Sequence, residues 1–173
     1  MKLLLAGLLI LAGSVGAEAK PAELSTAIKA DQPYGAGSYK VIFITAYDAA
    51  LWTDAQHWSM QVPFALTLSY HMSFSSADII ERSLDEMKQD DPAIDAPTLA
   101  RYRADMLPVF PAVRAGDEIT GLYQPDGTTQ FFLNGRPTGQ VHDRNFAAAF
   151  FGIWLSPHTT APDLRASLLR LQR

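Results

Sequence analysis

The chain has 173 residues, a formal net charge of -4, no cysteine, 48% hydrophobic and 18% charged residues, the composition of a globular domain and not of a disordered chain. The lack of cysteine excludes disulfides, thiolate metal sites, cysteine nucleophiles and a lipoprotein anchor. Without a cluster of Lys and Arg the chain also lacks the phosphate-neutralising charge that drives nucleic-acid affinity, so nucleic acid is not an expected partner.

The amino terminus reads as a cleavable secretory signal over residues 1–19. Lys2 supplies a short positive region, Leu3 to Ala12 an apolar run broken only by Gly7, and Ala17 and Ala19 the small-x-small cleavage pattern. The apolar run is shorter than the roughly 20 residues a spanning helix needs, and no later segment reaches that length. Cleavage after Ala19 places the mature protein in the periplasm or outside the cell, with no membrane span. The remaining residues 20–173 show no internal repeat and no linker, and read as one domain of a size that buries most of its unfolded surface.

Lys20 to Gln32 reads as a polar lead-in with room for a short strand. Tyr39 to Asp48 reads as one long strand. Tyr39, Val41, Phe43, Thr45 and Tyr47 share one face, and Lys40, Ile42, Ile44, Ala46 and Asp48 the other, so a central strand covered on both sides is expected. Phe64 to Met72 alternates Phe64, Leu66, Leu68, Tyr70 and Met72 against Ala65, Thr67, Ser69 and His71. The period then changes. Ser75 and Asp78 open a helix carrying Ile80, Leu84 and Met87, and Asp95-Ala96-Pro97 opens another carrying Leu99, Tyr102 and Met106, which Pro108 and Pro111 end.

A meander of Glu118–Gln124, Thr129–Leu133 and Thr138–His142 follows, turned at Pro125-Asp126-Gly127 and at Asn134-Gly135, a two-residue hairpin signal. Asp143 caps a helix through Phe146, Phe150, Phe151 and Trp154 that is apolar nearly all round and should be the buried central helix. A capping pattern at Thr160-Ala161-Pro162-Asp163 starts a last helix with Leu164, Leu168 and Leu171. This order predicts an α+β domain, an antiparallel sheet with helices on one face.

These residues resemble the bacterial chalcone-isomerase-like proteins. The resemblance rests on Gly35-Ala36-Gly37, on Tyr47 to Trp52, on Phe110-Pro111 leading to Gly116–Gly121, on Asn134-Gly135 with Gly139, and most specifically on Phe150 to Pro157. It implies a curved antiparallel sheet with a layer of α-helices on one face, enclosing an apolar cleft. It also implies one of two activities. Plant members cyclise chalcones, with an Arg near the Gly-Ala-Gly segment, a Thr on the next strand, and a Tyr and an Asn on the following helix. Other members are similar to non-catalytic binders of fatty acids.

Only the Thr is matched, by Thr45. Tyr39 stands where related members carry Arg, and the first arginine of the chain is Arg82. Lys40 is expected to face away from Thr45. Ser75 to Lys88 contains neither Tyr nor Asn. Cyclisation needs a fixed cation or strong donors for the carbonyl oxygen, so no catalytic residue is assigned and chalcone isomerase activity is not expected. The four histidines, His57, His71, His142 and His158, show no metal-ligand spacing, and no nucleotide, metalloprotease or hydrolase motif is present, so neither a metal nor a cofactor is expected.

The reading is an exported, non-catalytic binder of a small apolar, fatty-acid-like ligand in a cleft between sheet and helices. Tyr39, Thr45, Tyr70 and His71 are the candidate ligand-binding residues. The alternatives are an isomerase- or lyase-type enzyme using Tyr39, Thr45 and His71 as a different donor set, and a structural or accessory protein with an envelope partner.

Overall fold

A computed structural model describes residues 19–171. Of the expected signal peptide, residues 1–18 lie outside the described residues. Six strands form one antiparallel sheet in simple meander order: β1 Gly35–Val41, β2 Ile44–Trp52, β3 Phe64–Tyr70, β4 Glu118–Tyr123, β5 Thr128–Leu133 and β6 Arg136–His142. The helices are α1 Ser76–Asp90, α2 Ala96–Met106, α3 Arg144–Leu155 and α4 Pro162–Leu168. The chain thus has the expected α+β architecture of a sheet overlaid by helices.

Local chemistry explains most boundaries. Ser75 accepts a hydrogen bond from the Asp78 backbone N–H, while Asp78 accepts from the Ser75 N–H, a reciprocal cap that starts α1. Asp95 caps α2, and Asp143 accepts from the N–H groups of Asn145 and Phe146 to start α3. Asn134 and Gly135 both take positive φ, 50° and 77°, as a two-residue turn between β5 and β6 requires.

Several expectations are corrected. The single strand expected over Tyr39–Asp48 is a hairpin: Ile42 takes φ 59° and reverses the chain between β1 and β2. The turn is invisible to pattern because its residues, Ile42 and Phe43, are strand formers with no Gly or Asn. Its first half is therefore the edge strand and not a central one.

The hairpin register shifts after the Tyr39–Tyr47 pair, so that Lys40 lies opposite Thr45, and cross-strand partners share a face. Lys40 and Thr45 thus lie on the same side, and the shift separates Thr45 from the face of Tyr39 and Tyr47. The lead-in forms a 3₁₀ turn, Ala22–Leu24, and no strand. Leu24 and Ile28 are fully buried in a second core with Ala50, Trp52, Ala65, Leu122 and Phe132, behind the sheet. That cover explains why β3 is buried on both faces and does not alternate between core and solvent. Finally, α4 has no side-chain cap, because its N-cap position is Ala161, which has no side-chain acceptor.

The Gly-Ala-Gly segment has a packing reason. A Cβ on Gly35 would stand 2.2 Å from the Leu168 carbonyl oxygen at the end of α4, and one on Gly37 would stand 2.9 Å from the Ser167 Cβ. These glycines let β1 and α4 touch, and α4 in turn protects the sheet edge. Gly35→Ala should cost about 1–3 kcal/mol through overpacking, read as a lowered urea midpoint with unchanged slope. Ala36→Ser, at an exposed position of the same strand, should leave the midpoint in place.

Candidate functional site

The two layers do not fill the space between them evenly. Over β4 and β5 the gap is packed with Phe110, Phe131, Phe146, Phe150 and Phe151. Towards β1 and β2 the layers part, leaving a cleft of about 500 Å³. Its floor is a cross-strand aromatic row. Tyr39 is paired with Tyr47, and Tyr47 with Tyr70 on the next strand, which puts all three side chains on one face. The Tyr39 and Tyr47 rings stack at 5.1 Å, and Tyr70 meets Tyr47 edge-on at 5.8 Å. The roof is one stripe of α1, Ile79, Arg82, Ser83 and Glu86, at the i, i+3, i+4, i+7 spacing of a single helix face. Ile153 and Trp154 of α3 form the end wall.

The polar groups of the cleft are held in place. The Trp154 indole N–H donates to the Tyr47 hydroxyl at 2.9 Å. Burial pushes the Tyr47 phenol well above its ordinary range, outweighing the opposite pull of that hydrogen bond, and burial alone does the same to Tyr70. Both are neutral hydroxyls at any physiological pH. On the roof, Glu86 is ion-paired with Arg82 and accepts a hydrogen bond from the Thr160 hydroxyl at 2.6 Å. The Glu86 side chain is 9% exposed and that of Arg82 is 64% exposed, so the carboxylate sits in the wall and the guanidinium at the mouth.

Two of the four expected residues line this cleft, Tyr39 and Tyr70; Thr45 and His71 do not. The register shift turns Thr45 away. His71 follows the end of β3 and pairs with Asp48 at 2.6 Å on the exposed side, where Asp48 also accepts from Ser38 at 2.5 Å. Tyr47, Arg82, Glu86 and Thr160 escaped the sequence reading. A signal existed for the α1 pair: Arg82 and Glu86 continue the stripe of Ile79 and Ser83, beside the Ile80–Leu84–Met87 core stripe. The arginine absent from the first strands therefore reaches the cleft after all, from helix α1. It arrives already neutralised.

The chain matches the family model described as chalcone isomerase-like over residues 23–170. It belongs to the chalcone isomerase-like family. Among curated protein sequences, none matches it. Among solved structures it is similar to a crystal structure of a fatty-acid binding protein from Arabidopsis thaliana, with a TM-score of 0.58 and 8% sequence identity, covering 80% of this chain and 86% of that one. At that identity the likeness is one of fold. It agrees with the six-stranded sheet and helix layer described above.

Within this chalcone isomerase-like chain the cleft offers neutral hydroxyl donors over an aromatic floor and one compensated ion pair. Among the described residues no group of three His, Asp or Glu could hold a metal ion. The buried phenols also carry a pH signature. Unfolding exposes them, so above pH 10, their ordinary value, the unfolded chain loses protons that the folded chain retains. Folding stability should be level below that pH as far as these groups are concerned, and fall as pH rises beyond it. Tyr47→Phe and Tyr70→Phe should each flatten that alkaline decline in chemical denaturation measured across pH.

Proposed function

We propose that this protein is an exported, non-catalytic binder of a small apolar or amphipathic molecule of the fatty-acid type. The observation that carries the reading is the cleft itself: an unfilled, aromatic-floored space of about 500 Å³ with polar groups on its floor and roof. Ligand pockets have this size and this makeup, apolar walls with a small number of placed polar groups. An acyl chain would lie along Tyr39, Tyr47 and Tyr70, and its polar end would meet the phenol hydroxyls. The fold shared with a fatty-acid binding protein supports the same reading. Catalysis by the chalcone route is disfavoured by the ion pair, because Glu86 already satisfies the guanidinium that would have to stabilise an oxyanion.

Export rests on the pattern of Lys2, the apolar run and Ala17-x-Ala19. Among the described residues no helix is long and apolar enough to cross a membrane.

Native mass spectrometry of protein isolated from its own host should show a 1:1 lipid adduct. The intact mass should correspond to a chain starting at Lys20. Titration with a fluorescent fatty acid should saturate and be reversed by palmitate. Absence of both a co-purifying lipid and saturable binding would overturn the ligand reading, and an uncleaved amino terminus would overturn export.

A further inference from the structure

The tip of the β1–β2 hairpin is built against the usual rules of hairpin turns. Val41, Ile42, Phe43 and Ile44 form four consecutive apolar residues at its apex, with Ile42 85% and Phe43 93% exposed. Other exposed large apolar side chains, Met72, Leu107 and Leu171, are scattered singly along the chain. A two-residue hairpin turn normally takes Gly, Asn or Asp at positions of positive φ. This same chain does so at Asn134-Gly135. At the β1–β2 turn it instead holds a β-branched residue, Ile42, at φ 59°. For such a side chain that backbone is an outlier, and strain of this kind costs of order 1–3 kcal/mol. The tip therefore carries both strain and exposed apolar surface, and neither adds to the core.

We propose that this tip is a membrane-docking element that dips into the interface of a lipid bilayer. Three observations favour lipid over a protein occupant. The apex is four residues long, too small for the ~800 Å² per partner that a stable protein interface covers. Lys40 stands at its base, opposite Thr45, where an ammonium can reach an anionic headgroup while its stem runs along apolar surface. The tip is also continuous with the cleft, since Val41 belongs to both. A molecule moving between bilayer and cleft would pass from Phe43 and Val41 on to Tyr39 without crossing open water. A contact of this size anchors weakly and reversibly, as a shuttling protein needs. Docking does not depend on what the cleft holds. The link to ligand exchange rests on the proposed binding function.

Flotation of the purified protein, as its host processes it, with vesicles of phosphatidylethanolamine and phosphatidylglycerol tests the docking alone. The wild-type protein should float with the vesicles. Ile42→Asn combined with Phe43→Gly installs favourable turn residues, so it should fold with an equal or higher melting temperature and yet lose vesicle binding by at least about tenfold. Phe43→Ser, which leaves Ile42 in place, should lose binding in the same direction. Lys40→Gln should weaken binding to these anionic vesicles by about fivefold and leave binding to phosphatidylcholine vesicles unchanged.

A fluorescent fatty acid loaded into the cleft should move to vesicles more slowly from the double variant, with its affinity for the cleft within twofold of wild type. Failure of the wild-type protein to float, or equal flotation of the double variant, would overturn the proposal. So would a concentration-dependent dimer that the double variant abolishes in the absence of vesicles. If docking holds but no fatty acid loads, the tip stands and the ligand reading falls.

Discussion

The packing of Phe150 governs the spacing of the two layers. Its ring lies within 5.7 Å of the rings of Phe110, Phe131, Phe146, Phe151 and Trp154. Three of these pairs are edge-on, that with Phe110 is tilted and that with Phe146 is stacked, and rings interlocked in this way hold α3 above β4 and β5. Gly121 beneath them makes the fit possible, because a Cβ there would stand 3.3 Å from Phe131 and 3.4 Å from Phe151. α1, packed beside α3, is carried over the tyrosine row of β1, β2 and β3. There the tyrosine floor, with Ala46 beside it, lies across from Ile79, Ser83 and Ile153, and the cleft is the space between them. The chamber is thus the part of the interlayer space that the phenylalanine cluster leaves open.

The same division organises the polar groups. Tyr47 receives the Trp154 hydrogen bond at the border between the packed and open halves, so its hydroxyl is positioned by the helix that props the cleft open. Glu86, held by Arg82 and Thr160, ties α1 to the segment leading into α4. Buried carboxylates are tolerated when paired and hydrogen-bonded, and this one is both. α4 then closes over β1 through Gly35 and Gly37. The chain of contacts runs from the aromatic layer to the rim of the cleft and on to the edge strand that ends in the apolar tip.

Much of this was legible in the residues. The capping signals at Ser75, Asp95 and Asp143, the Asn134-Gly135 turn and the apolar α3 each act locally, and each appears where expected. The β1–β2 turn was not legible, since Ile42 and Phe43 carry strand propensity and the reversal is imposed by pairing with the rest of the sheet. That single miss displaced the site reading. Without the turn, no register shift is foreseen, and plain alternation puts Thr45 on the face of Tyr39, whereas the shift turns it the other way. Tyr39 and Tyr70 survived because their own pairing with Tyr47 lies outside the shift. Arg82 and Glu86 lie outside the early strands where the resemblance puts a cation, because the cleft takes its charges from a helix packed above those strands.

The claim that the space beside α3 is a ligand chamber can be tested by filling it. Ile153 lines the end wall of the cleft, so Ile153→Trp would push an indole into it. The filled variant should keep or raise its melting temperature, since it adds buried apolar surface in open space, and should lose fluorescent fatty-acid binding by at least about tenfold. A folded Ile153→Trp protein that binds the same fatty acid as tightly as wild type would contradict a ligand chamber at this position.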